Sequence, residues 1–196
     1  MSDIEKVFPK AQVYDYDVWV ADYTLQTQAK PKAERKGVVI SRKALKDIGC
    51  FHLRNDRRVA MYGVNFEEHK GFFPKGCGDC ECMFKAKEVN RGGWMLLCEL
   101  KYGKDAIANN MDNAHKAFGQ LRDTWNLLKR NRVVDTSKCK SYLNIAMPGH
   151  ATPFDSYLVL QDEKWEWLKK NKIALMGVDE VLVVNEGILQ VPKVEI

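Results

Sequence analysis

The chain has 196 residues, 45% of them hydrophobic and 29% charged, with a formal net charge of +5. A single core of this length buries enough apolar surface to fold without a disulfide or metal staple, so one domain over residues 1–196 is expected. The small basic excess accommodates a polyanionic partner without requiring one. Met1 to Lys10 lacks a signal-peptide core, and no later run is apolar enough to cross a bilayer, which predicts a cytoplasmic protein with no membrane association and six reduced cysteines.

QVYDYDVWVADYTL (residues 12–25) is rich in aromatic and β-branched residues and reads as a strand, with Val13, Val18 and Val20 as its apolar anchors. QTQAKPKAERKG, which follows, is a basic loop around Pro31: solvated surface by default, a phosphate-contacting loop as the alternative. GVVISRKALKDIG places Ser41 as the N-cap of a helix ending near Gly49. CFHLRNDRRVAMYGVNF is extended structure around a charged turn at Arg54 to Arg58.

ECMFKAKEV, NRGG and WMLLCELKY, over residues 81–102, form a β-hairpin entering a core. Ile107, Met111, Ala114, Phe118, Leu121, Trp125 and Leu128 recur at helical spacing and predict one long helix after Gly103. SYLNIAMPG is a further strand, DEKWEWLKKNKIALMG contains a helix, and EVLVVN and ILQVPKV are two short closing strands. Strands and helices in this order predict a mixed α/β (α+β) fold, a central mixed β-sheet flanked by helices.

The chemistry concentrates at the hairpin. On a strand, residues two apart share a face, so Glu99 and Lys101 project together beyond Met95 and Leu97, while Cys98 and Leu100 point the other way. Asp79 and Glu81 are likewise two apart. In register, the two strands would gather two or three carboxylates and one lysine. Hard divalent cations such as Mg²⁺ take one or two carboxylates plus waters and substrate phosphate. A metal there would activate water and orient a phosphodiester, and Lys101 would position the nucleophile or stabilise developing charge.

An acid on one strand, a turn, an apolar strand ending in Glu-Leu-Lys and a long helix after it resemble the PD-(D/E)XK nuclease superfamily, the restriction-endonuclease-like fold. The resemblance covers about residues 40–145. Carried over, Glu99 and Lys101 match the Glu-x-Lys half of the motif, the first acid falls on Asp79 or Glu81, and Gln120 matches a helical glutamine of some branches. The resemblance implies Mg²⁺- or Mn²⁺-dependent hydrolysis of nucleic acid, with DNA the expected substrate, metal on Asp79, Glu81 and Glu99, and a homodimer. The acid that the family often carries on a preceding helix has only Asp47 to match it, with Glu67 and Glu68 in a loop. Lys75, Lys104, Arg122 and Arg54 to Arg58 are scattered candidates for phosphate contacts.

Three other readings stand beside this one. Cys77, Cys80 and Cys82, with Cys98 across the hairpin, would supply thiolates to a structural Zn²⁺, but a second C-x-x-C is missing, and regular alternation puts Cys80 and Cys82 on one buried face opposite the acids. A domain of the same fold that binds nucleic acid or protein without cutting is the second. The third takes the stripe from Ile107 to Leu128 as a dimer seam, where packing on its own sheet is the default. Dispersed histidines, and the absence of a Gly-rich phosphate loop or a Gly-x-Ser-x-Gly elbow, argue against other enzyme classes.

Overall fold

The computed structural model describes residues 3–87, 92–102, 107–135, 137–149 and 162–192. In chain order the elements are α1 (Asp3–Val7), β1 (Gln12–Tyr14), β2 (Val18–Asp22), α2 (Thr24–Thr27), β3 (Val38–Ser41), β4 (Phe51–Arg54), β5 (Met61–Asn65), β6 (Cys82–Ala86), β7 (Trp94–Leu100), α3 (Ile107–Arg130), β8 (Lys140–Ala146), α4 (Asp162–Asn171), β9 (Ile173–Met176), β10 (Glu180–Asn185) and β11 (Ile188–Gln190).

These strands make two mixed sheets, one more than the single central sheet expected. The six-stranded sheet runs β1-β5-β6-β7-β8-β9, and the five-stranded sheet runs β11-β10-β4-β2-β3. In the larger sheet β5, β6 and β7 are antiparallel, and β8 and β9 then run parallel to β7 after α3 and α4. Parallel neighbours need such crossovers.

The larger sheet is covered on both faces. On one, Ala117, Phe118, Leu121 and Trp125 of α3 pack on Met95, Leu97, Leu143 and Ile145. On the other, Phe84, Leu96 and Cys98 meet Val18, Val20, Phe51 and Leu53 of the smaller sheet. Every residue of β7 is buried, as the near-continuous apolar run of a strand enclosed on both sides requires. Trp94 ties the two sheets at the start of β7, its indole Nε1 donating to the Asn185 carbonyl at 2.9 Å.

Two local expectations give way. The segment 12–25 is two strands in different sheets followed by the short α2; Asp17, at the break, accepts a hydrogen bond from the Asn55 amide at 2.7 Å. No helix follows Ser41. Its hydroxyl closes a local turn, accepting from the Lys43 amide at 3.0 Å and donating to the Lys43 carbonyl at 2.7 Å, the competing use of serine that suppresses helix. Leu45 and Ile48 instead pack on Ala21 and Tyr23 as an irregular crossing. The stretch DEKWEWLKKNKIALMG contains the expected helix, α4, and then the strand β9.

The predicted long helix and the β8 strand are present, as is the pairing of the two hairpin strands; part of the turn between them, residues 88–91, lies outside the described residues. The α3 stripe faces its own sheet from Ala114 to Leu128. None of the described helices is long and apolar enough to cross a membrane.

Candidate functional site

The apolar strand β7 ends in a carboxylate that is wholly enclosed. Glu99 has no solvent exposure, and its Oε1 accepts from the Lys101 ammonium. Its Oε2 is buried without a hydrogen-bond partner among the described residues. An ionised oxygen left this way costs several kcal/mol in the absence of compensation, on the order of what a lost charged hydrogen bond costs.

Lys101 is held from a second side. Its Nζ donates to Gln120 Oε1 at 2.9 Å, and Gln120 Nε2 donates to the Asp79 carbonyl at 2.9 Å. Gln120 is therefore a bridge between α3, the end of β7 and the segment before β6, and not a solvated helix residue. Gly78 permits this approach: a Cβ there would stand 3.3 Å from Gln120 Cγ and 3.4 Å from its Cα. One residue after Asp79, the Cys80 amide donates to Thr124 Oγ1 on α3 at 3.0 Å.

The two candidate first acids occupy different surroundings. The Asp79 carboxylate pairs with the exposed Lys70 ammonium. Glu81 follows at the foot of β6, where its amide donates to the Cys98 carbonyl at 3.1 Å beside the Cys82–Cys98 pair. Burial, then the charges of Glu99 and Asp22, push the Glu81 carboxyl up to about 9. Burial likewise raises Glu99, to about 7, against the lowering influence of Lys101, with Asp79 and Asp22 adding to the rise. Four carboxylates, Asp22, Asp79, Glu81 and Glu99, thus share one electrostatic neighbourhood with Lys101 and Lys70.

Asp22 is absent from the hairpin reading because it belongs to the other sheet. It is the last residue of β2; its Oδ1 accepts from the Thr24 amide at 2.8 Å, and its own amide donates to the Tyr102 hydroxyl at 3.1 Å. Tyr102 in turn donates to the Gly49 carbonyl at 2.9 Å, which ties the end of β7 to the crossing after β3. The only sequence trace of this role is an acid closing an apolar strand, VWVAD, the same pattern that marks Glu99.

Cys82 and Cys98 are register partners on one face, and Cys80 is not on it. Cys80 lies in the core under α3 and Cys82 in the core between the sheets, because alternation slips where Glu81 and Cys82 meet Cys98. Cys77 is half-buried, and burial raises its thiol and those of Cys80 and Cys82. The packing separates Cys80 and Cys82 by the thickness of the strand, which opposes a shared Zn²⁺. Among the described residues no three His, Cys, Asp or Glu side chains are grouped closely enough to hold a metal by themselves. An ion at Glu99 would need water and substrate oxygens to complete its shell, the usual situation for Mg²⁺.

Three of the six scattered cations are engaged in ion pairs among the described residues, and Arg57 is not one of them. Arg54 pairs with Asp56 and Glu180, Arg58 with Asp15 and Arg122 with Asp123. Lys75 is exposed, and Lys104 lies outside the described residues. His52 stacks on Trp19 between Asp17 and Glu180, and Trp167 packs on Phe118 and Trp125.

Compared with family models, curated proteins and solved structures, the chain matches none.

Proposed function

We propose that the protein is a metal-dependent nuclease that hydrolyses phosphodiester bonds of nucleic acid, DNA first among the substrates, on a restriction-endonuclease-like core. The observation that carries this reading is Glu99: a fully buried carboxylate with one oxygen on Lys101 and the other without a partner among the described residues. A divalent cation satisfies that oxygen and removes the cost of burying the charge. The antiparallel β5-β6-β7 unit, the helix α3 and the parallel return of β8 support this reading, as does the contact of Gln120 on α3 with Lys101 just past the end of β7.

Glu99 and Glu81 are the pair that suits Mg²⁺ or Mn²⁺ best. The Glu99 charge adds to the rise of the Glu81 carboxyl, a repulsion that a dication held by the two would reverse, and Asp79, paired with Lys70, would serve the outer shell. The bound metal would supply Lewis-acid activation of water and of the scissile phosphate. Lys101, fixed by Gln120 and Glu99, orients the attacking water and offsets charge building on the phosphorus oxygens. Gln120 is a positioning residue that acts through Lys101 and the Asp79 backbone.

The test is cleavage of supercoiled plasmid, single-stranded DNA and RNA with Mg²⁺ or Mn²⁺, comparing the parent with Glu99→Gln and Lys101→Ala. Loss of about 100-fold or more in both variants is expected for removal of a metal ligand and of a transition-state cation. A parent that cuts nothing under any of these conditions, or variants that cut as fast as the parent, sinks the proposal. Binding without cutting would leave the non-catalytic domain of the same fold as the reading.

A further inference from the structure

The most positive stretch of this chain is short. Residues 30–46 hold seven lysines and arginines (Lys30, Lys32, Arg35, Lys36, Arg42, Lys43 and Lys46) against one acid, Glu34, a net of +6 in a chain whose total is +5. A second basic stretch, residues 129–140, holds five cations against Asp135, a net of +4, so the larger part of any local attraction for a polyanion falls to residues 30–46.

Among the described residues these cations are not spent on carboxylates, although Arg42 lies over the Tyr16 ring at 4.4 Å and Arg35 Nε donates to the Lys30 carbonyl at 3.0 Å. All seven are exposed, and among the described residues none forms an ion pair with a carboxylate, in contrast to Lys70, Arg54, Arg58, Arg122, Lys138 and Lys169. The stretch is also anchored beside the acids. Val38 is the register partner of Asp22, so the first four cations arrive at the end of β2 where the Asp22 carboxylate lies. Thr27 Oγ1 accepts from the Lys36 amide at 2.9 Å, the Tyr23 amide donates to the Gly37 carbonyl at 3.0 Å, and Lys36 Nζ stands 5.4 Å from the centre of the Tyr23 ring. After β3 the chain returns across Ala21 and Tyr23 through Leu45 and Ile48 to Gly49, which accepts from Tyr102. Lys46 rides on that return.

The geometry points to residues 30–46 as a docking rim for the sugar–phosphate backbone of a nucleic-acid strand, leading it to the Glu81–Glu99 end of the hairpin. Unpaired, exposed cations on a tethered loop suit phosphates spaced along a chain; they contact charge and not base edges, so the rim binds without sequence preference. It also offsets charge at the site: Asp22, at the end of β2, disfavours a polyanion, and the adjoining band of net +6 favours one. The inference rests on the nuclease reading only for the direction in which the strand is led.

Binding of fluorescein-labelled single- and double-stranded oligonucleotides to the full chain, measured by anisotropy in EDTA, separates the two claims, because no metal-dependent cleavage occurs there. Two quadruple variants are compared: Lys30, Lys32, Arg35 and Lys36 to Gln, and, as a charge-matched control, Lys138, Lys140, Lys169 and Lys170 to Gln, with circular dichroism and melting confirming both folds. The rim variant is expected to weaken binding by at least about tenfold and to lower the slope of log K against log salt by about 3, while the control stays within about twofold. Equal losses in both variants, no loss in the rim variant, or binding to phosphatidylserine vesicles in place of oligonucleotides would overturn the rim. Rim-dependent binding by a protein that cleaves nothing with Mg²⁺ or Mn²⁺ would uphold the rim and remove the nuclease.

Discussion

Gln120 holds Lys101 with its carbonyl and the Asp79 backbone with its amide, both at 2.9 Å, so one side chain of α3 sets the distance between the two acidic strand ends. Replacing it with Ala frees the lysine and leaves the Asp79 carbonyl to water. We expect Gln120→Ala to lower kcat about tenfold with little change in KM, and to cost about 1 kcal/mol of stability, the usual worth of such bonds. Gln120→Glu keeps the Lys101 contact and loses the donor to Asp79, so partial rescue of kcat identifies lysine positioning as the role. Steady-state kinetics beside chemical denaturation check this.

The buried acids make metal-free stability depend on pH. Both carboxyls bind protons more tightly folded than unfolded, to about 9 for Glu81 and about 7 for Glu99, against an ordinary carboxyl value of about 4.3. Folding therefore takes up protons in this window, and stability falls as pH rises from about 5 to about 9. Melting in EDTA should show Tm declining by several degrees across that range, with the slope reduced in Glu81→Gln. Mn²⁺ should raise Tm more at about pH 8 than at about pH 5.5, because it competes with those protons.

Asp22 acts on the site through its charge. Asp22→Asn removes one of the carboxylates that hold the Glu81 and Glu99 protons in place, while its carbonyl oxygen still accepts from Thr24. The acidic limb of the pH–rate profile should move to lower pH by a few tenths of a unit or more. An unchanged limb would show that the charge of the second sheet does not reach the site.

Thr124 is wholly buried and supplies the acceptor for the Cys80 amide. Thr124→Val preserves the shape and strands that amide, at an expected cost of about 1 to 3 kcal/mol by urea denaturation. Thr124→Ser should retain most of the stability.

Gly78→Ala introduces a Cβ at 3.3 Å from Gln120 Cγ and 3.4 Å from its Cα, a tight contact relieved by a small shift of Gln120 or of the segment before β6. We expect about 1 kcal/mol of destabilisation together with a loss of activity larger than that fraction of stability explains. Activity measured well below Tm distinguishes a displaced site from an unfolded one.

The parts that repeat with a clear period were legible in the sequence. The α3 stripe and the apolar β7 and β8 strands follow from their own residues, because each is enclosed on a face that selects side chains by spacing. Glu99 and Lys101 were legible for the same reason: they interrupt an apolar run with charge. Asp22 was not, since its place depends on how one sheet lies on the other, and no local pattern encodes that. The expected helix after Ser41 failed because serine satisfied its turn locally while Leu45 and Ile48 found a tertiary partner in Tyr23. Strand parity misplaced Cys80 because it assumes one residue opposite one, and the backbone at Glu81 departs from that at Cys98.

Trp94 and Asp22 stand at opposite ends of the seam between the sheets, the first bonded across it to Asn185 and the second bringing its charge to the hairpin acids. The hairpin is therefore not a detachable module. A chain trimmed to the larger sheet and its helices would keep Glu99, Lys101 and Gln120 yet lose the basic band, Asp22 and the wall that keeps water from Leu96 and Cys98. What the second sheet contributes is the boundary condition under which a carboxylate is kept dry at the end of a strand.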